Sequence, residues 1–286
     1  METYNDIYLG SRRKLRAAGI AAHDLEARLI VAHAAGKSKE ELISSSRMFV
    51  TDPAIKRAVD AMLARRLSGE PVAYIVGEWE FYGLPMTVDE SVIVPRVDTE
   101  VLAEVVIKLM KRRGWRTRVI DLCAGSGSVG LAIAANVPNC RIVLSDVSER
   151  ALAVCRVNML RNNLSRHVTA IEVDVMEAPP SLLGAFDAIV SNPPYIPTRD
   201  LETLDASVRD FEPLQALDGG PDGLYFIRAI ASNWAALLKP AGNIVLECGA
   251  GQAGEVREIF EDSGFKDIKT YPDTLGIERV VVGTLK

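Results

Sequence analysis

Residues 118–130 read Arg118-Val119-Ile120-Asp121-Leu122-Cys123-Ala124-Gly125-Ser126-Gly127-Ser128-Val129-Gly130. A short β-forming run, Arg118–Cys123, passes through small residues into a helical pattern near Val129–Asn136. Gly125, Gly127 and Gly130 form a GxGxxG spacing, weak alone but weightier between a strand and a helix. Positions without side chains let a ligand approach the backbone. The helix start adds free N–H donors and a partial positive charge.

Outward from this loop, strands and helices alternate to the end of the chain. Arg141–Asp146, Val168–Asp174, Phe186–Ser191, Asn243–Glu247, Lys266–Tyr271 and Glu278–Gly283 read as further strands. Helices are expected at Asp98–Arg113, Glu149–Asn163, Leu224–Leu238 and Gln252–Ser263, with a short one near Met176–Leu183. Several strands are almost wholly apolar, as in a parallel sheet covered on both faces. The pattern predicts a doubly wound, Rossmann-like α/β domain with a seven-stranded mixed sheet. Only a short connection with Pro272 and Gly276 separates the last two strands, so the last should run antiparallel to its neighbour.

Asp146 ends the second of these strands, 19 residues beyond Gly127, where a carboxylate can accept both hydroxyls of a ribose. With the glycine loop it predicts an adenosine cofactor. The loop alone leaves a dinucleotide and S-adenosylmethionine both open. Asp121, four residues before Gly125, would oppose a pyrophosphate and suit the ammonium of a methionine moiety, which favours the sulfonium cofactor. Asp174, at the end of the next strand, could accept from an adenine amino group while the Val175 N–H donates to the ring, and a plain strand-end turn fits that pair nearly as well.

Ser191-Asn192-Pro193-Pro194-Tyr195-Ile196-Pro197 follows the Phe186–Ser191 strand directly, at the edge where α/β sheets bind ligands. The nitrogen of an amide or aromatic amine is a poor nucleophile because its lone pair is delocalised. If both N–H bonds are held by acceptors, the nitrogen can be aimed and the charge developing on it stabilised. The Asn192 side-chain oxygen and the Pro193 carbonyl can be those acceptors. Pro193 and Pro194 stiffen the turn, and Tyr195 offers a flat apolar wall. Such chemistry needs no metal and no covalent nucleophile.

The first 70 or so residues carry helical patterns only, with a capping box at Ser38 and Glu41 and a second helix start at Asp52-Pro53. Ile55, Ala58, Val59, Met62, Leu63 and Leu67 make one apolar stripe that Gly69 is placed to end. The expected organisation is a helical substrate-docking domain over 1–70, a hairpin-like connector over 71–97 and the α/β domain over 98–286. The chain of 286 residues holds 33 basic and 38 acidic side chains, a net charge of −5 that argues against a protein held mainly by nucleic-acid phosphates. Cys123, Cys140, Cys155 and Cys248 form no CxxC pair, so neither a disulfide framework nor a zinc site is indicated. The N-terminus lacks the apolar run of a signal peptide, and no span of about 18 apolar residues occurs. A cytoplasmic protein without membrane contact is expected.

Asn-Pro-Pro-Tyr after the fourth strand resembles the motif of S-adenosylmethionine-dependent amino-group methyltransferases. The rest of the chain is similar to the peptide chain release factor glutamine N5-methyltransferases, the PrmC/HemK family. Three stretches carry that likeness: Gly69–Tyr74 with Glu80–Gly83, then Val94–Glu100, then Glu212-Pro213 with Ala216–Gly223. The resemblance implies methyl transfer to the glutamine amide nitrogen in the Gly-Gly-Gln motif of class 1 release factors; a monomer with no stable nucleic-acid partner is expected. It implies that Cys123, Ala124, Gly125, Ser126 and Gly127 face the cofactor, with Asp146 on its ribose and Val175 near adenine. Asn192, Pro193, Pro194 and Tyr195 would hold the glutamine amide. Two residues depart from the pattern: Cys123 stands where the family usually has glycine, and Val97 replaces the usual proline.

A DNA adenine methyltransferase shares this Asn-Pro-Pro-Tyr chemistry but would need a basic recognition surface and a pocket for a flipped base. A catalytically idle release-factor or ribosome binding module has no physical need for Asn192, Asp146 and the glycines. A nicotinamide-dependent oxidoreductase leaves Asn192 to Tyr195 unexplained. His23, His33 and His167 read as satisfied or solvent-facing histidines, and the basic run at Lys111-Arg112-Arg113 reads as a solvated helix end.

Overall fold

The computed structural model describes residues 2–114 and 116–286, and the chain divides into two compact units. One contains the residues up to Gly77 together with Asp205–Phe211, and the other contains Glu78–Leu204 and Glu212–Lys286.

The smaller unit is helical: α1 (Tyr4–Ala17), α2 (His23–Ala34), α3 (Lys39–Ser44), α4 (Pro53–Leu67) and α5 (Val72–Val76). Its helix starts follow from local chemistry. Ser38 and Glu41 exchange side-chain-to-backbone hydrogen bonds, as do Thr3 and Asp6, and Asp52 caps α4 with Pro53 at the first helical position. Ile7, Leu15, Ala27, Ile30, Val31, Val59, Leu63 and Ile75 are buried, and Arg66 makes a two-pronged hydrogen bond to Glu26, at 2.6 Å and 3.2 Å. Leu67, expected on the buried stripe of α4, is exposed because it is the last residue of the helix.

Residues 72–76 correct the expected connector. They form α5 and not a hairpin arm, since Pro71 opens a helix and Gly77, at φ +71°, ends it. Val72, Ala73, Ile75 and Val76 are buried, a helical and not an alternating pattern.

The larger unit begins with the hairpin β1 (Glu78–Phe81) and β2 (Leu84–Thr87), turned by Tyr82 and Gly83 at positive φ. After a 3-10 turn at Val97–Thr99 come α6 (Glu100–Arg113), β3 (Arg118–Leu122), α7 (Ser128–Asn136), β4 (Arg141–Asp146), α8 (Glu149–Arg161), β5 (Val168–Glu172) and β6 (Phe186–Ser191). The single turn α9 (Ala206–Arg209) lies in the segment assigned to the helical unit. Then follow α10 (Tyr225–Ala229), β7 (Leu238–Glu247), α11 (Ala253–Asp262), β8 (Phe265–Pro272) and β9 (Glu278–Leu285). The hairpin is tied to α8 by Asn158, whose side chain takes the Thr87 N–H at 2.6 Å and donates to the Thr87 carbonyl at 3.0 Å.

The sheet order is β5-β4-β3-β6-β7-β9-β8, with the first five parallel and β9 antiparallel to both its neighbours. This is the expected doubly wound mixed sheet, with its last strand inserted antiparallel. Ile120, Leu122, Phe186, Ile189, Ile244, Leu246, Trp234 and Phe260 are fully or almost fully buried in one core cluster.

Two expected helices are replaced. Met176–Leu183 holds only a 3-10 turn at Ser181–Leu183, because Pro179-Pro180 stop a helix from propagating. Leu224–Leu238 starts as α10, widens into a π turn at Ile230–Trp234, tightens to a 3-10 turn and gives Leu238 to β7. The widened turn presents Trp234, whose indole N–H donates to the Val175 carbonyl at 3.0 Å.

Candidate active site

Sheet order reverses between β3 and β6, and the loops leaving these two strands border one cleft of about 290 Å³. Asp121, Cys123, Ala124, Gly125 and Ser126 line it from one side, Asp146, Asp174 and Val175 from the next strand ends, and Asn192 and Pro194 from the other. Among the expected site residues, Gly127, Pro193 and Tyr195 are outside this lining.

The glycine loop owes its shape to close packing. A Cβ on Gly130 would lie 2.3 Å from Leu144 Cδ2, and one on Gly127 would lie 2.9 Å from Leu144 Cδ1 at a φ of +80°. Both glycines let α7 sit against β4. Gly125 differs, since a Cβ there would meet no protein atom within 4 Å, so its bare side faces the cleft. Cys123 adopts a φ of +55°, the left-handed region that favours glycine, which gives the glycine of the related motif a backbone reason.

Asp121 is 1% exposed and accepts the Gly130 N–H on Oδ2 at 2.8 Å, joining the end of β3 to the start of α7. Burial pushes its carboxyl up to about 7, the Gly130 hydrogen bond works against that, and the nearby Asp146 charge adds to it. Asp146 accepts Gly125 N–H on Oδ2 and Ser148 N–H on Oδ1, both at 2.9 Å. Burial raises its pKa while these N–H groups and that of Val147 oppose the rise. Each oxygen keeps lone-pair capacity toward the cleft. Burial also raises the Cys123 thiol, with the neighbouring aspartates adding to the effect.

On the other side, Asn192 donates from Nδ2 to Thr99 Oγ1 at 3.2 Å. The turn from Asn192 to Pro197 is clamped by residues 217–223. Ile196 N donates to the Leu217 carbonyl at 3.0 Å, Gly219 N to the Ile196 carbonyl at 2.8 Å, and Thr198 N to the Gly220 carbonyl at 2.9 Å. Gly219 and Gly223 must lack side chains, since a Cβ on either would fall within 2.7 Å of Tyr195 backbone atoms. Gln252 completes the clamp by donating to the Tyr195 carbonyl at 3.0 Å while accepting the Gly249 N–H at 2.7 Å. Arg96, which also lines the cleft, is paired with the buried Glu212.

Asp121 lies near the end of β3, Asp146 ends β4 and Asp174 follows β5, three adjacent strands, so acceptor groups run along one wall of the cleft. A pyrophosphate would be repelled there. A ligand carrying an ammonium, ribose hydroxyls and an exocyclic amine finds an acceptor at each step, so the donor set fits S-adenosylmethionine.

Sequence reasoning missed Thr99, Glu247 and Gln252. Glu247 had a legible signal, a carboxylate ending the apolar strand Ile244-Val245-Leu246. Thr99 and Gln252 had none, because their partners are distant in sequence.

Comparisons with known proteins agree with this arrangement. The family described as "PrmC N-terminal domain" matches residues 9–77, and "Methyltransferase small domain" matches residues 96–208. The chain is 42% identical to the release factor glutamine methyltransferase of Geobacter sulfurreducens, over 80% of this chain and 78% of that one. It is 36% identical to that of Agrobacterium fabrum, over 96% of this chain and 94% of that one. A solved methyltransferase from Pyrococcus furiosus, 17% identical, shares the fold with a TM-score of 0.51, covering 79% of this chain and 98% of that one. With a glycine loop, an aspartate row and an Asn-Pro-Pro-Tyr turn around one cleft, and relatives aligned along most of its length, the chain belongs to the release factor glutamine methyltransferase family.

Proposed function

We propose that this protein transfers a methyl group from S-adenosylmethionine to the side-chain amide nitrogen of the glutamine in the Gly-Gly-Gln motif of class 1 peptide chain release factors. The observation that carries this reading is the anchored amide of Asn192: one N–H of its NH2 goes to Thr99, which sets the orientation of the amide and leaves Oδ1 without a protein donor among the described residues, free to receive an N–H in the cleft. The family relationship supports the same substrate.

When bound, S-adenosylmethionine supplies an electrophilic methyl group on a sulfonium. The cleft residues then have separate tasks. Asp121 would meet the ammonium, Asp146 the ribose hydroxyls, and Asp174 with the Val175 N–H the adenine, while Cys123, Ala124, Gly125 and Ser126 of the glycine loop would lie along the ligand. Asn192 Oδ1 and the Pro193 carbonyl hold the two N–H bonds of the substrate amide, which aims the nitrogen lone pair at the methyl carbon. Pro194 and Tyr195 keep that amide between rigid walls. As nitrogen takes the methyl group and the sulfonium departs as a neutral thioether, positive charge would pass to nitrogen, where both oxygens would stabilise it until one N–H proton leaves to water. Holding the amide nitrogen in place beside a bound methyl donor would supply on the order of 7–11 kcal/mol.

The helical unit is read as the dock for the protein substrate. A cytoplasmic monomer without a stable nucleic-acid partner is the setting this reading expects. Among the described residues no helix is long and apolar enough to cross a membrane.

Mass spectrometry of a purified release factor incubated with the protein and S-adenosylmethionine, beside an equal assay on duplex DNA, tests the reading. One added methyl on the Gly-Gly-Gln glutamine and none on DNA is the expected result. Methylated adenine, or no transfer to either despite cofactor binding, overturns it.

A further inference from the structure

Glu247 ends β7, and the pairing of Ser191 with Leu246 brings it beside Asn192 at the end of β6. The carboxylate is 2% exposed. The Tyr195 hydroxyl faces Oε1 at 3.4 Å, while Oε2 is buried with no hydrogen-bond partner among the described residues. Thr99, itself 4% exposed, accepts from Asn192 Nδ2 at 3.2 Å and stands near enough to the Glu247 carboxylate for its hydroxyl to favour the ionised form, although neither carboxylate oxygen closes a hydrogen bond with it. The charged and titratable groups around Glu247 are Arg279, which is paired with Asp273 at 3.2 Å, Asp98, Tyr195 and the adjoining Cys248.

We propose that Glu247 is a positioning residue for methyl transfer: through the Thr99 hydroxyl it fixes which end of the Asn192 amide meets the substrate nitrogen. This rests on the reading of Asn192 as the residue that receives the glutamine amide.

The argument is one of donor and acceptor parity. A hydroxyl has one proton to give, and an ionised carboxylate can only accept. With Glu247 ionised, the carboxylate draws the Thr99 proton toward itself, and Thr99 accepts from Asn192. Asn192 must then turn its NH2 to Thr99 and its Oδ1 to the cleft. With Glu247 protonated, the carboxyl becomes a donor to Thr99, whose proton is freed for Asn192 Oδ1. The amide can then flip and present NH2 to a substrate that also presents NH2, and transfer stops. A carboxylate buried with an unpartnered oxygen is an expense for the fold, which this orienting role accounts for.

Burial pushes the Glu247 carboxyl up to about 7, and Asp98 adds to the rise. The Thr99 hydroxyl, the Arg279 charge and the Tyr195 hydroxyl oppose it. The change of state therefore falls near neutral pH, and kcat should fall as pH drops below about 7.

Two measurements on the full-length protein decide the matter: kcat and KM for methyl transfer against pH, and the Asn192 side-chain NH2 signals in nitrogen-15 spectra against pH. At saturating S-adenosylmethionine the wild type should lose kcat about tenfold per pH unit below the transition, and its Asn192 signals should move over the same range. Glu247→Gln should abolish that limb and hold the signals still. Thr99→Val should lower kcat about tenfold, the scale of one lost orienting hydrogen bond, and Thr99→Ser should restore it.

An unchanged acid limb in Glu247→Gln, signals that move as in wild type, or full kcat in Thr99→Val overturns the assignment. Should Glu247→Gln fail to fold, the Thr99 pair decides. A wild type that transfers no methyl to the release factor overturns the proposed function instead, and the titration of the Asn192 signals still decides the positioning.

Discussion

The Gly130 N–H donates to Asp121 Oδ2 at 2.8 Å, bridging nine residues of chain between the end of β3 and the first turn of α7. The same carboxylate lines the cleft, so one side chain both holds the glycine loop in shape and presents charge to a ligand. Asp121→Asn separates the two tasks. The amide oxygen can still accept from Gly130, but the charge is gone. Cofactor affinity should fall about tenfold or more, as for a lost charged hydrogen bond, and calorimetry with S-adenosylmethionine checks it.

The buried Asp121 also sets a pH dependence of stability. Its folded pKa, about 7, lies above the ordinary value of 3.8, so between these values the folded state holds a proton that the unfolded state has lost. Its contribution is therefore fully present below about 3.8 and is lost as pH rises through about 7. Urea unfolding of Asp121→Asn across this window should show a shallower decline than the wild type.

Gly130 and Gly125 should respond differently to alanine. At Gly130 the added methyl meets Leu144 at 2.3 Å and Asp121 Oδ2 at 3.1 Å, so Gly130→Ala should destabilise the fold by about 1–3 kcal/mol. At Gly125 the methyl enters the cleft at a φ of +55°, so the stability loss should be only about 1 kcal/mol while cofactor binding fails. Thermal melts with and without cofactor distinguish the two.

Gln252 touches the substrate loop only through backbone. Gln252→Ala removes the donor to the Tyr195 carbonyl and strands the Gly249 N–H, with a stability loss of about 1–3 kcal/mol. Methyl transfer should slow about tenfold while cofactor affinity holds, since Gln252 lies outside the cleft lining, and paired kinetic and binding assays read this.

Asn192→Ala removes the acceptor for the substrate amide. Methyl transfer should fall about 100-fold or more, the scale of one preorganised transition-state contact, with cofactor binding nearly intact. Single-turnover kinetics beside equilibrium binding provides the check.

Much of this was legible in the chain. The glycine spacing after Asp121, the acidic strand ends and Asn192-Pro193-Pro194-Tyr195 are local patterns, and local patterns report which atoms a short backbone segment can offer. The Ser38–Glu41 capping box and the Asp52-Pro53 helix start were equally readable, since each is closed within four residues. Val72–Val76 misled because its β-branched residues suit strands, while Pro71 and the left-handed Gly77 bound a helix whose burial repeats helically. The π turn at Ile230–Trp234 was unreadable, because it serves a hydrogen bond from Trp234 to Val175, 59 residues away.

Alternating apolar runs, glycines and prolines constrain the backbone wherever they stand, so the doubly wound α/β class and the two loops that carry the chemistry were readable from the chain. That Thr99 anchors Asn192, that Gln252 and residues 217–223 clamp the Asn-Pro-Pro-Tyr turn, and that Glu247 is buried beside Tyr195 emerged with the packed fold. Those relations join side chains dozens of residues apart, and their hydrogen-bond parity exists only once the sheet has set β6 beside β7.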